Sequence, residues 1–453
     1  MICHVAYGAR PRTATTGSVG VAVDIGSDTG ASRRDAEMSE SLSRSIDTVV
    51  IGAGHSGLIM SWHLQQAGRD HVVLDRRETL GGGWQDRWDG FVLVGPNWTM
   101  GLPGYPYAGP DPDGFMPRDA VAARMRGYAE VIGAPVHPAT EVQRLTADGA
   151  GGRRFHLETS QGPIDADTAI VATGGFHKPR IPPAAGGLAP RLTQMHAHHY
   201  RNPSQLPPGG VLIVGSGQTG VQLAEELHEA GRPVFLSVGR CGRSPRRYRG
   251  FDIFWWLRQL ATRGPDFETP LPTVSQLPDP RLKFAGNPHL SGHHGGHDTN
   301  LRRMALDGIQ LVGRFVSADG VRVQLAPDLA ENLRFADEFF DTRFRTLCDT
   351  FAERAAIDVS ADDREWPTYE PPEVTELDLE RVGISTVLWT TGYAPDYAWL
   401  DLPILDEFGA PRHVRGITEV PGLTFLGLLW QHTTASANLS GVAADAAYLA
   451  SKW

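Results

Sequence analysis

Two glycine triplets hold the clearest chemistry in this sequence, Gly52-x-Gly54-x-x-Gly57 and Gly215-x-Gly217-x-x-Gly220. A triplet of this kind suits a pyrophosphate when it joins a strand to a helix. The first glycine permits the sharp turn, the second lets backbone N–H groups approach the phosphates, and the third lets helix and strand pack closely. The helix N-terminus then adds partial positive charge. Both triplets have these flanks. Val49, Val50 and Ile51 precede the first, and a helix with Leu58, Met60 and Leu64 on its apolar face follows. Gly68 stops that helix before a strand, Val72 to Leu74. Asp75 closes the strand, where a carboxylate can accept hydrogen bonds from a ribose. Ser56 and Gln218, inside the two turns, join the candidate cofactor contacts.

The second unit lacks the acidic end. Ser237 and Arg240 stand there, with Arg243, Arg246, Arg247 and Arg249 nearby. A 2′-phosphate repels a carboxylate and is well held by a guanidinium, so this unit is expected to take NADPH rather than NADH. One unit tuned for a ribose hydroxyl and one for a ribose phosphate imply two cofactors. FAD with NADPH is the economical pair, because the flavin accepts the hydride that NADPH donates.

Further landmarks extend the pattern. Gly81-Gly82-Gly83-Trp84 follows the first unit and fits a backbone wrapping close against a flat ligand, with Gly83 and Trp84 as contacts. Asn97 sits in an apolar setting, Gly95-Pro96-Asn97-Trp98, where it is either a site amide or a turn residue. Thr173-Gly174 ends one strand and Thr390-Thr391-Gly392-Tyr393 ends another.

On these residues the chain resembles the class B flavin monooxygenases, most closely the flavin-containing monooxygenase and YUCCA-like group, from Ile46 to the C-terminus. Ala172-Thr173-Gly174 and Thr390-Thr391-Gly392-Tyr393 look like the family's two ATG turns, with Thr390 in place of alanine. The signature FxGxxxHxxxY is half present: His196 and Tyr200 match, while Pro190 and Leu192 replace the phenylalanine and glycine. The resemblance implies a flavin reduced by NADPH and a C4a-(hydro)peroxyflavin that oxygenates a small organic substrate with O2. Asn97 matches the family's active-site asparagine and is the catalytic candidate. No arginine matches the Baeyer–Villiger arginine, so oxygenation at N or S ranks above Baeyer–Villiger chemistry. An NADPH-dependent reductase or oxidase without oxygen insertion remains the other alternative.

The elements that must position these residues read as an α/β fold of two Rossmann-type domains, a smaller NADPH domain inserted into the FAD domain. The expected boundaries are 45–205 with 373–453 for FAD and 206–372 for NADPH, with a helical insertion. Residues 1–44, rich in Gly, Ser, Thr and Arg, read as a disordered extension. Within the insertion, Phe254-Trp255-Trp256-Leu257 reads as core, and Asn332 to Ala356 as one long amphipathic helix. The histidines of GNPHLSGHHGGHD lie in a glycine loop with Asp298 as its only carboxylate, and those of Leu192 to Pro203 read as a hydrogen-bonding hinge, so no metal site is assigned. A helix from about Leu439 is expected to point at the flavin, with Trp430, Gln431 and His432 near the ring, ordinary packing being the equal alternative for Trp430.

Composition narrows the partners. The 453 residues are 41% hydrophobic and 21% charged, with net charge -10. Nothing here forms the basic surface that nucleic acid demands. No apolar run reaches membrane-spanning length. Cys3, Cys241 and Cys348 form no CxxC, which removes the disulfide-reductase reading and suits a cytoplasmic protein. A homodimer is among the assemblies open to the chain.

Overall fold

The computed structural model describes residues 44–149, 152, 154–262, 271–284, 288–439 and 441–452. The expectation of disorder over 1–44 thus falls, Arg44 apart, outside the described residues.

The chain opens with β1 (Arg44–Ile51), α1 (His55–Gln66) and β2 (His71–Leu74), followed by α2 (Arg118–Val131). Strands β3 (Val136–His137), β4 (Val142–Thr146), β5 (Phe155–Thr159) and β6 (Ile164–Val171) complete its first half. Then come β7 (Thr193–His196), β8 (Gly210–Val214), α3 (Gln218–Glu229) and β9 (Val234–Ser237). The insertion contributes α4 (Ile253–Thr262), β10 (Gln310–Val312), α5 (Leu329–Phe340) and α6 (Thr346–Arg354). Strands β11 (Ile384–Trp389) and β12 (Leu423–Phe425) and helix α7 (Val442–Ala450) close the chain.

These strands build two sheets. The first runs β3-β2-β1-β6-β5-β4, with β12 also pairing β6. Its β3, β2, β1, β6 and β12 are parallel, and β4 to β6 antiparallel. The second runs β10-β9-β8-β11-β7 and is parallel throughout. Parallel strands covered on both faces read as continuous apolar runs, which is why Val49–Ile51 and Val211–Val214 lack polar alternation. Val49, Val50, Leu58, Ile59 and Met60 are fully buried, each contributing about 1.5–3 kcal/mol of transfer free energy.

The second sheet corrects the expected boundaries. Thr386 to Tyr393 lies in the segment expected to return to the first sheet, yet β11 pairs with β8 in the second sheet, and β7 extends that same sheet. The return to the first sheet comes only with β12. A strand between its own glycine turn and a neighbour has no signature that says which sheet it joins. The long insertion helix is also interrupted: a π turn at Asp341–Arg345 separates α5 from α6. It still presents one apolar face, with Leu333, Phe340 and Phe351 buried. Trp256 is buried in this cluster, its indole N–H donating to Tyr248 O at 2.9 Å. The last helix starts at Val442 rather than Leu439. Among the described residues no helix is long and apolar enough to cross a membrane.

Candidate functional site

The first glycine turn is closed from behind and open in front. Gly52 holds φ +106° and its N–H donates to Leu74 O at 2.7 Å. A Cβ at Gly52 would meet Ala172 O at 2.7 Å, so the Ala172-Thr173-Gly174 turn leaving β6 packs directly on it. A Cβ at Gly57 would stand 1.8 Å from Gly52 O. Gly54, Gly83 and Gly174 by contrast face open space. Gly82 packs on Gly54, and Gly427 of the loop after β12 packs on Ser56. Residues far apart in the chain, Gly52 to Gly57, Gly81 to Gly83, Thr173, Gly174 and Gly427, are therefore brought together around one opening. Trp84 stands beside it, 6.4 Å from the His55 ring at the start of α1.

Asp75 is buried and engaged. Its Oδ2 accepts the Ala53 N–H at 2.7 Å and its Oδ1 the Arg77 N–H at 2.9 Å. It fixes the glycine turn to the end of β2, with carboxylate lone pairs to spare for a further donor.

The second turn repeats the construction. Gly215 has φ +107°, and a Cβ there would meet Thr390 O at 2.9 Å. The Thr390 hydroxyl donates to Gly215 O at 2.6 Å. A Cβ at Gly220 would stand 1.9 Å from Gly215 O, while Gly217 and Gly392 face open space. Two candidates turn away from this opening. The Ser237 hydroxyl is buried, donating to Gly313 O at 3.0 Å and accepting the Phe315 N–H at 2.9 Å. It braces the turn after β10. Both ends of the Gln218 amide are taken by the Leu290 backbone.

The arginine cluster separates by burial. Arg243 pairs with Asp337 at 3.1 Å and Arg246 with Asp252 at 2.9 Å, both buried. Arg249 pairs with Asp349 at 2.9 Å. Arg240 stays exposed, stacked over Phe335 at 4.3 Å and 3.4 Å from Glu331. Arg240, the arginine singled out in the sequence, is thus the exposed one, while Arg243, Arg246 and Arg249 are held by Asp337, Asp252 and Asp349.

The two turns meet through their linkers. Lys178–Pro179, just past Gly174, pairs antiparallel with Tyr393–Ala394, just past Gly392. His196 Nε2 lies 3.0 Å from Gly392 O, and its Nδ1 accepts the His198 N–H at 3.1 Å. That pattern fixes the Nε2–H tautomer, and burial holds the ring neutral by pulling its pKa to about 4. Tyr200 donates to Glu226 of α3 at 2.8 Å. Of the hydrogen-bonding hinge expected of these histidines, the structure shows the hydrogen bonds, which hold His196 on the second turn.

Asn97 opens a short 3-10 turn. Its amide N–H donates to Asp111 O at 2.9 Å, and its Oδ1 is buried with no partner. Buried amide oxygens are normally satisfied, so this acceptor fits a ligand donor. His432 is half-buried, its backbone tied to Val274 and Ser436; burial lowers its pKa.

The histidine loop is less isolated than its local sequence suggested. Glu225 and Glu229 of α3 reach it, at 2.6 Å from His297 and 2.8 Å from His294. Among the described residues no group of three or more His, Cys, Asp or Glu side chains is arranged for a metal. A concavity of about 690 Å³ lined by Arg69, Arg154 and Thr424 lies across the N-terminal part of β6, away from the glycine turns.

Residues 49–249 match the family described as pyridine nucleotide-disulphide oxidoreductase. An uncharacterized CzcO-like oxidoreductase of Geobacillus kaustophilus is 32% identical over 406 residues, covering 89% of this chain and 97% of the relative. The indole-3-pyruvate monooxygenase YUCCA1 of Oryza sativa is 29% identical over 209 residues, 46% of this chain and 51% of that protein. The solved flavin-containing monooxygenase from Stenotrophomonas maltophilia shares the fold, with TM-score 0.60 and 21% identity over 90% of this chain and 98% of that one. Two glycine turns, each on parallel strands of its own sheet, and relatives of full length, lead to one placement: the chain belongs to the CzcO-like oxidoreductases, within the class B flavin monooxygenase family.

Proposed function

We propose that this chain is an NADPH- and oxygen-dependent flavin monooxygenase, with FAD at the first glycine turn and NADPH at the second. Its substrate is a small organic molecule oxygenated at nitrogen or sulfur. One observation carries the reading: each turn is closed behind by a Thr-Gly turn and open in front at its middle glycine. A wholly structural glycine turn would gain nothing from that opening.

When bound, the flavin supplies hydride acceptance and oxygen reduction, chemistry that no side chain provides. The chain's part is binding and orientation. Backbone N–H groups around Gly54 and Gly217, with the first turns of α1 and α3, suit pyrophosphate oxygens. Arg240 is the accessible guanidinium at the end of β9 and suits a 2′-phosphate. Asn97 offers its unpaired Oδ1 to a donor on cofactor or substrate. His196 keeps the second turn in register with the first linker. The monooxygenase names of the relatives, YUCCA1 among them, support the reaction class.

Anaerobic mixing tests the pairing of cofactors. NADPH should bleach the bound flavin's visible absorption much faster than NADH. A protein that retains no flavin, or responds equally to both nucleotides, would refute the proposal.

A further inference from the structure

Arg87 stands where the two linkers meet, and none of the roles above uses it. Its guanidinium lies 4.7 Å from the Phe176 ring centre and 5.7 Å from that of Phe91. Phe176 belongs to the linker from the first sheet and touches Tyr393 of the other linker, ring centres 5.2 Å apart. Trp84, three residues earlier, contacts both His55 of the first turn and Phe91.

Asp86 beside it favours its charge, but no carboxylate forms an ion pair with this cation among the described residues. Among the described residues its guanidinium donates no hydrogen bond, and Nε is buried without a partner. The adjacent carboxylate, Asp86, is taken by Arg77. His196 and His198 are held neutral by burial, and burial keeps the Tyr393 phenol protonated. Burial likewise lowers the proton affinity of Arg87 itself. Withdrawing a charge from water without a counter-ion is costly. A guanidinium stacked on aromatic faces keeps its planar edge of donors for phosphate-type oxygens.

We infer that Arg87 is an anion-binding residue of the junction, holding an anionic oxygen of a dinucleotide seated in one of the two glycine turns. This rests on reading both turns as nucleotide sites. The location favours a dinucleotide because the linkers beside Arg87 start at Ala172 and Thr390, the residues that pack on Gly52 and Gly215.

The test uses the full chain with Arg87→Met and Arg87→Lys. FAD affinity is measured by titrating the apoprotein and NADP⁺ affinity by calorimetry on the holoenzyme, each at low and high salt. Arg87→Met should weaken one dinucleotide roughly 10- to 100-fold, the loss expected for one charged hydrogen-bonding group, and flatten its salt dependence. Loss confined to FAD places the contact at the first turn, and loss confined to NADP⁺ at the second. Arg87→Lys should retain part of the affinity. Unchanged affinity for both in Arg87→Met overturns the inference, as does unchanged affinity in Arg87→Lys should the Met variant fail to fold. A wild-type protein that binds neither dinucleotide would instead remove the reading beneath it.

Discussion

The two inner glycines of the first turn should fail in opposite ways. Gly57→Ala places a methyl 1.8 Å from Gly52 O, about 1.2 Å short of the 3.0 Å that real Cβ contacts respect. Both atoms belong to packed backbone, so helix α1 must move off β1 by that amount. Overpacking of this kind costs about 1–3 kcal/mol, and the apoprotein's melting temperature should fall. Gly54→Ala meets nothing within 4 Å, and Gly54 has φ -73°, which any residue adopts. Its apoprotein should melt like wild type. The new methyl points into the opening where we propose the pyrophosphate sits, so FAD retention after gel filtration should collapse. Calorimetry of both apoproteins, with flavin content by visible absorbance, reads the two effects separately. Full FAD retention by Gly54→Ala, with an unshifted melt in Gly57→Ala, would refute the assignment of either glycine.

Other predictions follow the same geometry. Arg240→Ala should raise the apparent KM for NADPH on the order of tenfold, one charged contact's worth, while leaving that for NADH nearly unchanged; steady-state kinetics with both nucleotides would show it. Asn97→Ala should keep NADPH-driven flavin reduction but divert oxygen into hydrogen peroxide, measured as peroxide released per NADPH consumed. The hydrogen bond that His297 donates to Glu225 holds the His297 pKa above the ordinary 6.5. Burial pushes Glu225 up, but His297, with His293 and His294, outweighs it and the net shift is down. A raised histidine stabilises fully below its unfolded pKa and loses that contribution as pH rises through the folded value. The melting difference between wild type and His297→Gln should therefore be largest below pH 6.5 and shrink above it.

How much of this was legible in the sequence depended on how local each signal was. The two glycine turns, with their strands and helices, could be read because steric need at Gly52 and Gly215 acts within one βα unit. The turns at Ala172 and Thr390 could be matched by resemblance, but their packing on Gly52 and Gly215 could not be read, since it joins strands distant in the chain. The assignment of β11 to the second sheet is a pairing fact that no periodicity carries. Ser237 and Gln218 looked like cofactor contacts because they occupy the right positions, but Gly313 and Leu290 claim their polar atoms. Arg87 lies between Trp84 and Trp88 with no local motif to mark it. Its signal, a cation amid aromatic residues, gains meaning only once Phe176 arrives from another segment.

Oxygen transfer is the central claim, and isotope labelling tests it most directly. The purified protein would be given NADPH, ¹⁸O₂ and a panel of small thioethers and amines, with products read by mass spectrometry. The account predicts a sulfoxide or N-oxide carrying a single labelled oxygen, formed with NADPH and far less with NADH. NADPH oxidation that returns all the label as hydrogen peroxide, with no labelled product across the panel, would contradict it.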